Sequence, residues 1–589
     1  MLYTKLLLFF LFLVNSFAFS QIKTSYNLKP STYCNPLNLD YGFTPIPNFS
    51  EAGRHRATAD PVIVFFKDKY FLFSTNQWGY WWSDDLNDWH FISRRFLLPR
   101  NKVYDELCAP AVWAMGDSLC VVGSTYTDAF PIWYSTNPTK DDWHIACDSS
   151  KSAAWDPSVF LDDDGKLYLY HGSSNSFPLY GRELDRKTLQ PKSERVDLIK
   201  LHDDEHGWER FGEYNDNNFL NPFIEGAFVN KHNGKYYLQY GAPGTEFSGY
   251  ADGVYVSDKP LGPFKYQKHN PFCSKPGGFA RGSGHGATFS DRYNNFWHVT
   301  TNTIAVKNNF ERRLSLFPTN FDADGILWSN TAFGDYPTSL SSNNSEHTKN
   351  PFTGWMLLNY QKPVRASSID GSYAPNFAVD EDIKTYWAAK TNRVGEWFES
   401  DLGAVSTVNA IQINYADHDV DSSALGKMNG INHQYKIFSS LDGKRWSLLI
   451  DKSKNTTDVP HDYIELTQPT ETRFLKMENV KMATGKFALS GFRVFGKGHG
   501  TVPDSIKGFI VLRQESDKRN AWLRWYPNTH AYAYNIWYGI APDKLYQSVM
   551  LYGKNEYNLK AMDKNTDYYF CIEPMNENGV GKRTTIIKN

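Results

Sequence analysis

Cysteine is scarce, six in 589 residues, too few to hold a chain of this length as a disulfide scaffold. An excess of one charge sign is missing as well. Lys and Arg total 62, Asp and Glu total 64, and the formal net charge is −2, so there is no basic field for coating nucleic acid or an anionic membrane. Past the first twenty residues no segment is apolar enough to span a bilayer. Long helices are not the pattern either. The chain has 41 Gly, 29 Pro, 18 Trp, 36 Tyr and 40 Phe, which reads as short strands joined by many turns. A hydrophobic fraction of 41% excludes wholesale disorder. At roughly 100–200 residues per domain, the length corresponds to about three or four domains.

The first twenty residues read as a leader. Lys5 precedes an apolar run from Leu6 to Val14, and Ala18-Phe19-Ser20 is a small-x-small cleavage signal. The run is shorter than the ~20 residues of a membrane span. The expectation is a signal peptide over 1–20, cleavage after Ser20, and an exported chain.

From Asp60 onward a pattern repeats: an apolar strand, a short polar turn, then an aromatic-rich strand. The units begin at Asp60-Pro61-Val62, Ala109-Pro110-Ala111, Asp156-Pro157-Ser158, Glu225-Gly226-Ala227 and Gly284-His285-Gly286. Asp-Gly and Asn-Gly turns between alternating apolar residues are strong hairpin signals. Five such units, roughly 45–70 residues apart, predict an all-β fold opening with a five-bladed β-propeller over 21–334. A pair of irregular sandwiches also explains the hairpins, but not the matching starts. A polar stretch around Ser341 reads as a linker over 335–355. A second β-domain follows over 356–496, then a linker over 497–503 and a small sandwich over 504–589.

First strands of a propeller start at the central axis, so their first residues converge. Asp60, Asp156 and Glu225 supply three carboxylates there. A buried trio of acids is costly unless their protonation states split, because like charges raise one another's pKa. Glycosidic hydrolysis uses such a split: one carboxylic acid protonates the leaving oxygen while one carboxylate activates water. Sugars pack their CH faces on aromatic rings, and Trp78, Trp81 and Trp113 are candidates for that contact. The segment 201–213 is dense in His and acids but lacks zinc-like spacing, and reads as a solvated or site-rimming loop.

These motifs resemble glycoside hydrolase family 43, over roughly residues 40–330. The resemblance implies Asp60 as general base, Asp156 as the residue that orients the acid and tunes its pKa, and Glu225 as general acid. It also implies substrate contacts from His285 and from Arg312, with Arg313 in its place if the register is shifted by one. Where the family often has Trp before the second Ala-Pro, this chain has Cys108. Ala378-Val379-Asp380, Asp382, Thr385, Trp387, Trp397 to Gly403, Ser440 to Trp446 and Arg473 to Lys476 resemble the discoidin fold of family 32 carbohydrate-binding modules, a jelly-roll sandwich. Asp380, Asp382 and Thr385 match a calcium loop of that fold, although the glutamate often found on the closing strand is Gly491 here. The last segment resembles fibronectin type III, with Tyr568 or Tyr569 as the corner tyrosine and a spacer role.

The resemblance implies an inverting exo-glycosidase acting on terminal sugars of plant-type polysaccharide. α-L-Arabinofuranosidase or β-D-xylosidase activity comes first, and β-D-galactofuranosidase or β-galactosidase activity is the alternative. A catalytically inactive glycan-binding protein or an adhesin is a further reading, against which the retention of all three acids argues. The chemistry requires no cofactor. Calcium is expected near His285 on the propeller axis, in the discoidin-like loop, or at both. The expected partner is an oligo- or polysaccharide, and the expected state is a monomer.

Overall fold

The computed structural model describes residues 24–44, 55–75, 77–96, 107–125, 130–152, 154–306, 308–340, 348–421 and 423–589. The leader of 1–20 and the centre of the first linker lie outside the described residues. The chain is built almost entirely of strands. Turns fall where the sequence signals them. Lys67-Asp68 and Asn233-Gly234, both left-handed pairs, join Phe66 to Lys69 and His232 to Lys235. Two successive positive φ angles match the right-handed twist of the flanking strands.

Five four-stranded units form the first domain. Blade one comprises Ala59–Phe66, Lys69–Thr75, Gly79–Ser83 and Trp89–Ser93. Blade two runs from Ala111–Met115 to His144–Ser150, and blade three from Ser158–Leu161 to Val196–Ile199. Blade four starts with Glu225–His232 and Lys235–Ala242, and blade five with Arg281–Ser290 and Phe296–Thr303. Each first strand packs on the next blade's first strand, and the fifth packs back on the first. This closes a ring and leaves no open sheet edge along the axis.

At the axial end every first strand carries the same irregularity. Ala59 pairs with Thr75 and Val62 with Phe73; Glu225 pairs with Gly241 and Phe228 with Gln239; Gly284 pairs with Thr301 and Ala287 with Val299. Three residues therefore oppose two. Blades two and three repeat the arrangement through Ser124 N donating to Cys108 O and Gly172 N donating to Trp155 O. The extra residue of each bulge is left-handed: Asp60 (φ 53°), Ala109 (40°), Asp156 (49°), Gly226 (65°) and His285 (49°). The bulge corrects the reading that all three acids occupy equivalent positions. Asp60 and Asp156 are bulge residues, whereas Glu225 stands one residue earlier, aligned with Ala59 and Gly284. Below the bulges Val62, Val112, Val159, Phe228 and Ala287 close the axis, around a cavity of about 20 Å³.

The second domain is a curled sheet of eight strands around one apolar core that includes Trp387, Phe398, Ile411, Tyr435 and Phe492. Its two long strands, Trp397–Tyr415 and His461–Lys481, bend at bulges and so serve both layers of a β-sandwich. The third is a sandwich of a three-stranded and a five-stranded sheet. Tyr568 is its buried corner residue, its hydroxyl accepting from Asp563 N at 3.0 Å, whereas Tyr569 is half-buried.

The domains are packed together rather than strung out. The N-terminal arm crosses between the first two: Thr32–Tyr33 pairs with Thr338–Ser339, while Ser31 N and Thr32 N each donate to Glu465 at 3.1 Å. The ends of the expected first linker are structured. Asp335 is buried 3.2 Å from Lys275 Nζ, and Phe352 stacks on Phe333. At the second linker, Lys497 and Gly498 continue a strand, and Gly498 N donates to Glu577 O. Only part of the segment 201–213 is solvated, a second correction: His202, Asp204 and Glu205 are exposed, but 206–210 is buried. Trp208, Glu209 and Arg210 are at most 1% exposed. His206 meets Asp563, and Arg210 bonds Asp517, Asn520 and Lys560 O of the third domain. This bracing also sets the spacer reading of the third domain aside.

Arg493 is the most heavily partnered side chain of the junction. It meets both oxygens of Glu381 at 2.9 Å, donates to Asp335 O at 2.7 Å, and lies over the Phe279 ring. Removing one partner of a buried ion pair leaves an uncompensated charge. Glu381→Ala is expected to cost about 3–5 kcal/mol, read as an earlier urea midpoint of the first unfolding transition. An unchanged midpoint would contradict this account of the junction.

Candidate active site

Three of the five bulges turn an amide toward a neighbouring blade, and a buried amide needs an acceptor. The preceding blade supplies it. Asp60 N donates to Thr301 Oγ1 at 2.9 Å, Ala109 N to Thr75 Oγ1 at 2.6 Å, and Asp156 N to Ser124 Oγ at 2.9 Å. These hydroxyls lie at the axial ends of second strands, and two of them also hold carboxylates. Thr75 Oγ1 donates to Asp60 Oδ2 at 2.7 Å, and Ser124 Oγ approaches Asp156 Oδ1 at 3.4 Å. Thr75 thus fixes both the backbone of blade two and the acid of blade one, whereas Ser124 serves the amide and the carboxylate of Asp156 alone.

Glu225 is held differently, in keeping with its offset. Ser173 Oγ donates to Glu225 Oε2 at 3.0 Å, and the Tyr250 hydroxyl donates to Oε1. A hydroxyl accepts as readily as it donates, so these partners suit either protonation state of Glu225. The glycine after it is required: a Cβ on Gly226 would lie 2.7 Å from the His285 ring. His285 Nδ1 stands 3.2 Å from Asp60 Oδ1 and 3.8 Å from Asp156 Oδ2. One polar atom each of Asp156, Glu225 and His285 falls within a 4.8 Å spread.

Electrostatics split the group. Burial pushes Asp156 up, His285 opposes, and the charges of Glu225 and Asp60 add to the rise, which reaches about 8. Burial alone would lower the His285 imidazole, but Asp60, Asp156 and Glu225 outweigh it and the net shift is upward. Asp156 and His285 are thus both shifted toward their protonated forms.

Arg312 Nη1 lies 3.8 Å from Asp60 Oδ1 and donates to Thr245 Oγ1 at 3.1 Å. Arg313 points the other way, to His461 Nε2, and to Arg56 O, so the shifted register is excluded. Two tryptophan expectations are corrected. Trp81 is fully buried with its indole donating to Asp40, and Trp113 is 4% exposed within the packing of blades two and three. Neither ring can meet a sugar. Trp78 is half-buried with its ring against Gly426 of the second domain. Sequence reasoning missed Thr75, Ser124, Ser173, Tyr250 and Thr301. The recurrence of a hydroxyl near the axial end of the second strand on four of the five blades, blade four having Gly241 there, was the available signal for four of them.

The loop of Asp380, Asp382 and Thr385 does not fit calcium. Asp380 accepts from Thr385 Oγ1 at 2.7 Å and from Asp382 N at 3.1 Å, Arg281 lies 3.6 Å from Asp382, and Glu381 is committed to Arg493. A Cβ on Gly491 would lie 2.8 Å from Phe279 of the propeller, so the closing strand has no room for a carboxylate. Near His285, Asp156, Glu225 and His285 offer three ligand atoms within 4.8 Å of one another, so Ca²⁺, which takes six to eight oxygens, would need water to complete its shell there.

The proton on Asp156 has a consequence for stability. An unfolded Asp releases its proton near pH 4, whereas the folded protein keeps it to about 8. Between those values the folded state binds more protons, so stability falls as pH rises. Asp156→Asn removes that dependence. The variant's urea midpoint is expected to match wild type near pH 4 and exceed it at pH 8. Equal midpoints at both pH values would show that Asp156 does not hold the proton.

Comparison with known proteins agrees with this geometry. Residues 55–327 match the model of glycosyl hydrolases family 43, and residues 363–491 match that of the F5/8 type C domain. A protein of Paenibacillus polymyxa described as an arabinoxylan arabinofuranohydrolase is 34% identical over 160 residues, 26% of this chain and 23% of its own length. A β-xylosidase of Xylanibacter ruminicola is 31% identical over 134 residues, 19% of this chain and 39% of its own. The chain thus spans well under half the length of these curated relatives. A solved structure described as a thermostable family-43 glycoside hydrolase is 22% identical, with 53% of this chain and 100% of that one covered and a TM-score of 0.43. The chain is thus similar to family 43 glycosyl hydrolases over residues 55–327 and to the F5/8 type C domain over residues 363–491.

Proposed function

We propose that this chain is an inverting, exo-acting glycosidase that releases terminal α-L-arabinofuranose or β-D-xylose from plant-type polysaccharide. The observation that carries this is the axial trio: the carboxylates of Asp60, Asp156 and Glu225 gathered around the His285 imidazole. The names of the relatives, arabinoxylan arabinofuranohydrolase and β-xylosidase, support the choice of pentose. Export, supported by the leader pattern, and a monomeric state belong to the same reading.

Asp60 is the base. Thr75 orients its carboxylate, and His285 and Arg312 flank it with positive charge. It takes a proton from water as the water oxygen bonds to the anomeric carbon. The bond to the leaving oxygen breaks on the opposite face, and that oxygen receives the proton of the Asp156–Glu225 pair through Glu225. Asp156, one of whose oxygens lies within 4.8 Å of Glu225, orients the acid and tunes it through its own charge. Solvent returns the proton from Asp60 afterwards. No cofactor takes part.

The two assignments separate by leaving group. Asp60→Ala is expected to lose roughly 10²–10⁴-fold in kcat on every pentoside. Glu225→Ala should lose as much on sugar leaving groups yet be largely spared on dinitrophenyl pentosides, which need little proton assistance. Rates measured across aryl pentosides of graded leaving-group acidity decide this. A loss in Glu225→Ala that is uniform across the series would remove Glu225 from the acid role.

A further inference from the structure

Among the described residues of the five blades and their connections, leaving out the N-terminal arm, the most exposed large apolar side chains sit on two segments. Phe219 is 95% exposed, Tyr214 69%, Phe177 65% and Leu220 56%. The segments join beside the acid. Ser174 and Ile224 exchange backbone hydrogen bonds of 3.0 Å, and Phe223 N donates to Pro243 O at 2.8 Å. Ile224 directly precedes Glu225, and Ser173 is the residue that bonds its carboxylate.

These rings are held in water by specific turns. Ser174 Oγ accepts from Ser176 N and Phe177 N, both at 3.0 Å, and Asn217 Oδ1 accepts from Phe219 N and Leu220 N at 2.9 and 3.1 Å. The third domain pins the Phe219 stretch through Lys560 to Asp216 and Arg519 to Asn218 Oδ1 at 3.4 Å. A phenyl ring in water forgoes its burial. Exposed apolar rings ringed by polar groups, here Asn175, Asp216 and Asn218, mark a place where something binds.

We propose that Phe177, Phe219 and Leu220 form a platform for the leaving-group side of the substrate, the polysaccharide units to which the released pentose is attached. The inference rests on the assignment of Glu225 as the acid. Whatever receives the proton of Glu225 must lie against it, and this rim adjoins Glu225 through both Ser173 and Ile224. Sugar rings present a flat CH face bordered by hydroxyls, which suits aromatic rings set among amides. The third domain then acts as a brace for this subsite.

The test compares wild type with the double variant Phe177→Ala/Phe219→Ala on arabinoxylan oligosaccharides and on an aryl pentoside. The ratio of kcat/KM, oligosaccharide over aryl, is expected to fall about tenfold, carried mainly by KM. Tyr526→Ala, which removes an exposed ring from the third domain, should leave the ratio at its wild-type value. Affinity electrophoresis through gels containing arabinoxylan gives a readout without turnover: wild type should be retarded and the double variant released. Equal retardation of the two, or none of wild type, overturns the platform, as does an unchanged kinetic ratio. Wild type that is retarded in a platform-dependent way but cleaves no pentoside would instead overturn the proposed function alone.

Discussion

One extra residue at the start of each first strand governs this molecule. Without the bulge, successive side chains would alternate strictly between the two faces of a blade, and no acid would turn in to the axis at the same depth on several blades. With it, one residue per blade is forced into left-handed backbone at a strain of about 1–3 kcal/mol for each non-glycine. Four of the five are non-glycine: Asp60, Ala109, Asp156 and His285. The ring offsets that strain by satisfying the bulge amides across blades, through Thr301, Thr75 and Ser124. The fourth blade gives the left-handed place to Gly226, which lets His285 lie against it and moves its carboxylate back by one residue. Two acids are thereby held by the bulge and one stands outside it, and that asymmetry underlies the separate chemical tasks assigned to them.

The rest of the chain encloses this ring. The second domain meets the propeller through Arg493 and Phe279, through Arg56 with Asp417 and Asp458, and through Arg313 with His461. Gly491 and Glu381 in that domain are shaped by the junction rather than by an ion. The third domain reaches the propeller segment that leads into Glu225. Substitutions at these buried charges therefore act on the propeller and on the second domain together.

Much of this was legible in the sequence. The Asn233-Gly234 turn, the five repeat starts and the three acids all carried local signals. Pro61, Pro110 and Pro157 also marked the bulges, since proline lacks the N–H that a regular ladder requires. The offset of Glu225 was hidden because it follows from strand register, which a list of motifs does not contain. Trp81 and Trp113 were misplaced because aromatic residues in a propeller fill the space between blades as readily as they line a pocket. The charges of 201–213 looked solvated because their partners, Asp517 and Asp563, lie some three hundred residues further on.

The central claim is that Asp60 activates water while Glu225 protonates the leaving oxygen. The configuration of the first-formed sugar tests it most directly. Proton NMR recorded during early turnover of an aryl pentoside, before mutarotation, should show the anomer opposite to that of the substrate. Initial appearance of the same anomer would make Asp60 a nucleophile and contradict the account.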